Sequence, residues 1–340
     1  MPIIPINDES IARAAAVISR GGLVAFPTET VYGLGGDAFN PLSLAKIFEV
    51  KGRPRFDPLI VHIAAFETLE TIADLSLLDA AAKKNLAALT KHFWPGPLTL
   101  ILPKQKTVPD LAASGLPTVA VRLPAHDAAR RLIALSTGAV AAPSANPFGY
   151  LSPTRAEHVA AMLGDKIEII LDSGPARFGL ESTVLDMTGS QPRILRPGAA
   201  PQEAIEGLIG EVAVGTNVAH NRSASPGMLK SHYAPRVPLF THNGELPHGA
   251  DIDSAALLFF DGASRDRWLS APQPESKPAA VAVLSETGDL LEAAARLFQT
   301  LHEFDRSGVK RIYAQLAPEK SLGIAINDRL RRAEDTYGKK

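Results

Sequence analysis

The sequence predicts an α/β protein of two domains, and three observations predict it. Through the first two hundred residues, short apolar runs rich in β-branched side chains alternate with amphipathic stretches that carry helix start signals. Residues 212–236 break this pattern, because Gly215, Thr216, Asn217, Asn221, Ser223, Ser225, Pro226 and Gly227 sustain neither helix nor strand. Beyond them the alternation resumes. With 340 residues, 46% of them apolar, the chain can bury two cores. The expected organisation is a first domain over 1–211, a linker or lid over 212–236 and a smaller domain over 237–340.

Each element has a local reason. A helix begins near Asp8 and is closed by Gly21 and Gly22, since glycine readily takes the left-handed conformation that ends a helix. Apolar runs at 23–26, 59–63, 98–102, 119–123 and 167–171 have the length and composition of buried strands. Asn40 ahead of Pro41 reads as an N-cap followed by proline at the first helical position. Thr154-Arg155-Ala156-Glu157 reads as a capping box, in which threonine and glutamate satisfy each other's orphan amides. In the second domain, strands are expected near 237–241, 256–260, 280–284 and 311–315, with helices near 290–305 and 324–332.

Composition removes several kinds of chemistry. The chain has no cysteine, which excludes disulfides, thiolate zinc sites, iron–sulfur clusters and a cysteine nucleophile. Its nine histidines include no i, i+4 pair of the kind that binds zinc on a helix. A net charge of −1 supplies no bulk attraction for RNA, so any RNA contact would need a local basic patch. Apolar runs such as 257–260 are far too short to cross a bilayer. The first ten residues lack the basic and apolar regions of a secretion signal, which makes the cytoplasm the expected location.

Four segments are polar or glycine-rich where a core element should be plain. Pro27-Thr28-Glu29-Thr30-Val31-Tyr32-Gly33-Leu34-Gly35-Gly36 follows an apolar strand, and such a turn lets backbone amides approach a ligand. It matches neither dinucleotide nor Walker phosphate motifs, and a simple tight turn would explain its glycines but not Glu29 or the threonines. Lys51, Arg53 and Arg55 lie close together in a segment fixed by Pro54 and Pro58, with His62 following. Such a cluster suits a polyphosphate or a carboxylate, although charge clusters are more often solvated faces. Arg122 ends an apolar strand, where open α/β sheets bind ligands. Ala142-Pro143-Ser144-Ala145-Asn146 lacks the nucleophile elbow of a serine hydrolase. Glu181-Ser182-Thr183-Val184 and Arg193-Ile194-Leu195-Arg196-Pro197-Gly198 complete the set. Read as loop residues, Lys51, Arg53 and Arg196 should tolerate alanine without loss of stability.

Singly these motifs are weak. Taken together, segments 27–36, 51–62, 143–146, 181–184 and 193–198 resemble the motifs of the YrdC-like domain of threonylcarbamoyl-AMP synthases. Ser225-Pro226-Gly227-Met228, His232-Tyr233-Ala234-Pro235 and Ala325-Ile326-Asn327-Asp328-Arg329-Leu330 resemble the longer, two-domain branch of that family. The resemblance covers nearly the whole chain in the same order.

This resemblance implies a twisted, mixed, open sheet with a concave cleft, then a linker and a small Rossmann-like α/β domain. The family's reaction joins the amine of L-threonine to bicarbonate, adenylates the resulting carbamate with ATP and releases pyrophosphate. By resemblance, Thr30, His62, Arg122, the Ala142 backbone and Ser182 would hold threonine. Arg53, Asp57, Thr118, Ser144, Ser152, Arg196 and Tyr233 would contact ATP, and Lys51 and Arg53 would act on the phosphates. Where this chain has Asp57 the family more often has asparagine, and an anion there would repel phosphate unless it is hydrogen-bonded or helps hold Mg2+. No metal is expected to be held mainly by protein, since Mg2+ would arrive on ATP. The product would pass to the tRNA threonylcarbamoyltransferase machinery for N6-threonylcarbamoyladenosine formation next to the anticodon. An RNA-binding module is the rival reading, opposed by near-neutral charge and absent aromatic stacking motifs. The carbamoyl-transfer enzymes of hydrogenase maturation carry a similar domain but add cysteine zinc fingers, which this chain lacks.

Overall fold

Eleven short strands between Ile3 and Val214 hydrogen-bond into one mixed sheet. They are β1 (Ile3–Pro5), β2 (Val24–Phe26), β3 (Gly33–Asp37), β4 (Ile60–Ile63), β5 (Leu98–Pro103), β6 (Thr118–Arg122), β7 (Ala139–Ala141), β8 (Ile169–Asp172), β9 (Thr183–Asp186), β10 (Arg193–Arg196) and β11 (Ala213–Val214). Their order is β1-β8-β2-β3-β7-β4-β6-β5-β9-β10-β11. The computed structural model describes residues 3–215, 232–246, 250–271 and 277–337. It divides into two compact units, the first holding this sheet and the second taking Gly149–Ser152, Phe178–Leu180 and the chain from Leu229 onward.

Helices α1 (Asp8–Ser19), α2 (Pro41–Lys51), α3 (Leu69–Ile72), α4 (Ala80–Phe93), α5 (Asp127–Leu135), α6 (Ala156–Leu163) and α7 (Gln202–Ile209) lie in the first unit. Alternation along the strands decides what each sheet face carries. Val61, Ile63, Leu98, Leu100, Leu102, Val119, Val121 and Leu185 join Leu44, Ile47, Leu86, Leu89 and Ile205, from α2, α4 and α7, in one large core. On the other face, Val24, Phe26, Val140 and Leu171 pack against Ile11 and Ile18 of α1 and Leu132 and Ile133 of α5. The same face of the β4, β6, β5 and β9 region carries a small cluster, Ile60, Ile101, Ala120, Val184 and Leu195, to which no helix contributes. By the two-residue period, His62, Arg122, Thr118 and Thr99 share that face with Ile60, Ala120 and Ile101.

The second unit contains a four-stranded parallel sheet ordered β12-β15-β13-β14, from β12 (Leu239–His242), β13 (Ala255–Asp261), β14 (Ala280–Ser285) and β15 (Arg311–Gln315). Helices α9 (Leu290–Arg306) and α10 (Leu322–Glu334) cover one face, and Trp268 of α8 (Gly262–Ser270) packs with Leu257, Phe259 and Tyr313 on the other. Helices on both faces of a parallel sheet give the Rossmann-like arrangement. Leu151 and Leu180 belong to this unit's core beside Leu297 and Phe298.

Several local expectations hold. Asn40 accepts from the amides of Leu42 and Ser43 with Pro41 at the first helical position, and α1 starts at Asp8. Others are corrected. The capping box at Thr154 and Glu157 does not form, because the N-cap is Arg155 and Thr154 instead bonds His158 Nδ1 through its amide. The glycine-rich turn is a turn only up to Tyr32, since Gly33–Asp37 forms β3 antiparallel to β2. The segment expected to be linker from residue 212 begins with edge strand β11, and residues 216–231, including Ser225-Pro226-Gly227-Met228, lie outside the described residues.

Candidate active site

Arg122 ends β6, where the alternation that buries Val119 and Val121 in the large core turns its side chain to the other face. The β4–β6 register sets His62 directly beside it. The guanidinium is almost wholly buried and tied three ways. Nε donates to Gly96 O (3.1 Å), Nη1 to Thr30 Oγ1 (2.9 Å) and Nη2 to Glu29 Oε1 (2.6 Å). One N–H on each terminal nitrogen remains uncommitted among the described residues. Both members of the Arg122–Glu29 ion pair are at most 7% exposed. Glu29 Oε2 is buried and has no hydrogen-bond partner among the described residues. The loop that carries them is held by Thr28, whose hydroxyl donates to Val31 O (2.6 Å) and meets Thr30 Oγ1 (2.8 Å).

Burial pushes the His62 imidazole down to about 3, and the neighbouring Arg122 charge pushes the same way. His62 is therefore neutral near pH 7. His126 precedes α5, with Nε2 3.0 Å from Ser173 Oγ. Burial lowers its pKa, while the carboxylates of Glu29 and Asp127 oppose the shift.

The basic segment is not a solvated loop. Lys51 is the last residue of α2, and Gly52, at φ 62, turns the chain in the left-handed conformation that glycine adopts without strain. This turns the side chains of Lys51 and Arg53 inward, to 3% and 7% exposure. Lys51 Nζ donates to Ser144 O (2.6 Å) and also to Asn146 O. Burial holds its pKa well below the usual lysine range, and the Arg53 charge lowers it further against the opposing effect of Asp57. Arg53 donates through Nε to Asp57 O (2.9 Å) and through Nη2 to Pro58 O (2.8 Å), and Nη2 pairs with the Asp57 carboxylate at 2.8 Å. Its guanidinium lies 5.9 Å from the centre of the Phe148 ring.

The segment after β7 joins these groups. The Ala142 N–H donates to Ile60 O (2.9 Å), so its carbonyl is the group it can offer a ligand. Ser144 bridges to Gly33, and the Ala145 N–H donates to Tyr32 O (2.9 Å). On the neighbouring strands, Arg196 donates through Nη2 to Ser182 O (2.8 Å) and to Ser182 Oγ (3.2 Å). Ser182 Oγ also meets Thr99 Oγ1 at 2.7 Å. Thr118 is half-buried at the start of β6.

Of the expected site residues, Thr30 and Arg122 are hydrogen-bonded to each other, as are Lys51 and Ser144, and Ser182 and Arg196; Arg53 and Asp57 form an ion pair. Ser152 and Tyr233 belong to the second unit. There Ser152 O accepts from His302 Nε2 (3.1 Å), and the Arg329 guanidinium stacks over the Tyr233 ring at 4.8 Å. The sequence reading missed Thr99, although it is the one polar residue in the run 98–102, and gave Glu29 no role.

Comparisons with known proteins converge on one family. A family profile for the Sua5, YciO and YrdC group, described as telomere recombination, matches residues 16–198. A second, described as the threonylcarbamoyl-AMP synthase C-terminal domain, matches 200–334. The threonylcarbamoyl-AMP synthase of Pyrococcus abyssi is 43% identical over 96% of this chain and 95% of the relative. That of Bacillus subtilis is 42% identical over 96% and 93%. The crystal structure of P. abyssi Sua5 complexed with L-threonine superposes with a TM-score of 0.84 at 39% identity, covering 99% of this chain and 98% of that one. The chain belongs to the threonylcarbamoyl-AMP synthase family.

Proposed function

We propose that this chain synthesises L-threonylcarbamoyl-adenylate from L-threonine, bicarbonate and ATP, releasing pyrophosphate, for N6-threonylcarbamoyladenosine modification of tRNA. The observation that carries the reading is the agreement of both domains with synthases of that name over 96% of the chain. The threonine in the P. abyssi relative supports the amino-acid half of it.

The geometry is suited to that chemistry. The threonine carboxylate would take the two uncommitted N–H groups of Arg122, with Thr30, His62, Ser182 and the Ala142 carbonyl around the rest of the molecule. A neutral His62 adds no second cation beside Arg122 and can still hydrogen-bond a hydroxyl. ATP would lie toward Lys51, Arg53, Asp57, Thr118, Ser144 and Arg196. Protonated beside a phosphate, Lys51 would have one N–H beyond its two carbonyl bonds to give a phosphate oxygen. Ion pairing with Arg53 offsets the charge of Asp57, which lessens the repulsion that an anion would exert on phosphate. The carbamate oxygen would attack the α-phosphorus and pyrophosphate would leave, a displacement that needs positioning and charge stabilisation but no protein nucleophile.

Among the described residues no three His, Asp or Glu side chains form a metal site, and Asp57 is committed to Arg53. The residues present fit a Mg2+ ion carried on the nucleotide's oxygens, where it would neutralise charge on the departing pyrophosphate. The labile product would pass to the tRNA threonylcarbamoyltransferase machinery in the cytoplasm, with at most weak RNA contact. Among the described residues, no helix is long and apolar enough to cross a membrane. The test is pyrophosphate release with ATP and Mg2+. Release that requires threonine and bicarbonate together supports the reading, and equal release with neither present opposes it.

A further inference from the structure

Glu29 is a buried carboxylate with one of its two oxygens unused among the described residues. Oε1 accepts from Arg122 Nη2, while Oε2 is buried and has no partner among the described residues. A buried polar atom left without a partner is costly and calls for an explanation. Arg122 shows the complementary surplus, with an N–H left on each terminal nitrogen after its bonds to Gly96, Thr30 and Glu29.

An α-amino acid places a carboxylate and an ammonium on one carbon. A fixed arginine–glutamate pair with spare donors on one member and a spare acceptor on the other matches that zwitterion. Burying a charge is costly unless it is paired, and here each member of the ion pair compensates the other until the substrate adds a matching pair. From this arrangement we propose that Glu29 is a specificity-determining residue, whose Oε2 receives the α-ammonium group of the amino-acid substrate while Oε1 keeps Arg122 aimed at its carboxylate. The proposal rests on the amino-acid site assigned to Arg122 above, and selects ligands that carry both groups.

Calorimetric titration with three ligands tests it: L-threonine, 3-hydroxybutanoate, which keeps the carboxylate and hydroxyl but lacks the amine, and 2-aminobutanoate, which keeps the amine but lacks the hydroxyl. The wild-type protein should prefer threonine to 3-hydroxybutanoate by about 10- to 100-fold, the range of a charge-assisted hydrogen bond. Glu29→Gln keeps an oxygen for Arg122 but removes the charge. It should collapse that preference by weakening threonine while leaving 3-hydroxybutanoate unchanged. Equal weakening of both would show that Glu29 only positions Arg122, and would overturn the proposal. So would a variant that discriminates less against 2-aminobutanoate but keeps the amine preference. If Glu29→Gln does not fold, Glu29→Asp retains the charge but draws the oxygen back. It should then reduce the amine preference, and an undiminished preference overturns the proposal. Failure of the wild-type protein to bind threonine at all would remove the amino-acid site itself, an outcome distinct from binding without amine preference.

Discussion

His62 and Arg122 stand side by side across the parallel ladder of β4 and β6, and the arginine's charge adds to burial in keeping the imidazole neutral. A folded-state pKa of about 3, against 6.5 for a free histidine, means that the unfolded chain binds this proton first as pH falls. The stability from a neutral His62 is complete above pH 6.5 and declines as pH falls toward 3. His242 and His302, both pushed down by burial to about 4, act in the same direction. Between pH 7 and pH 5, His62 alone should remove about 2 kcal/mol. Urea unfolding at the two pH values should show this loss, and His62→Gln should flatten the slope. An unchanged slope in the variant would mean that His62 protonates freely in the folded state.

Lys51 should matter for both stability and turnover. The expectation that its loop would tolerate alanine came from the sequence, but the structure places the ammonium between the carbonyls of Ser144 and Asn146. Lys51→Ala removes the donor from both and should cost roughly 1–3 kcal/mol. Thermal unfolding should show a clear drop, alongside loss of ATP turnover. An unchanged melting temperature would restore the reading of a solvated loop.

Thr99 holds the Ser182 hydroxyl from below. Thr99→Val keeps the shape, removes the 2.7 Å contact and leaves Ser182 Oγ to the 3.2 Å bond from Arg196. The change should cost about 1 kcal/mol in stability. Threonine affinity should fall several-fold, with ATP affinity less affected. Equal affinities in the two proteins would separate Ser182 from the amino-acid site.

Gly198 packs against backbone. A Cβ there would lie 2.4 Å from Glu181 O and 2.5 Å from both the Ser182 carbonyl carbon and the Thr183 amide. Gly198→Ala must therefore displace the start of β9, and with it Ser182, at a cost of about 1–3 kcal/mol. Chemical denaturation should show the loss, together with reduced threonine binding. Full stability and full binding in the variant would contradict the packing described.

The architecture was legible where sequence period and burial agree. The strand expected at 311–315 is β15 to the residue, and α9 departs from 290–305 by one residue. The reading failed where function interrupts the pattern. Apart from Leu34, β3 is all Gly and Asp, and β9 and β10 begin with polar or charged residues, so they look like loops although they are paired strands. Thr154 misled because the helix starts after Arg155, a one-residue shift that a capping motif cannot reveal. Motif order singled out Lys51, Arg53, Arg122 and Arg196 as candidate site residues. Burial was invisible, because Lys51 and Arg196 are satisfied by groups far along the chain, and Arg53 by a turn at Asp57 and Pro58 that only the folded loop forms. The role of Glu29 depends on the same kind of long-range partner, Arg122, ninety-three residues away.

The most direct test of the account follows carbon from bicarbonate. Purified protein is incubated with isotope-labelled bicarbonate, L-threonine, ATP and Mg2+, and the nucleotide products are separated and weighed by mass spectrometry. The account predicts a labelled threonylcarbamoyl-adenylate that appears only when threonine and ATP are both present, with one pyrophosphate released for each molecule formed. Pyrophosphate release without label in any adenylate, or a labelled product that forms equally well without threonine, would contradict it.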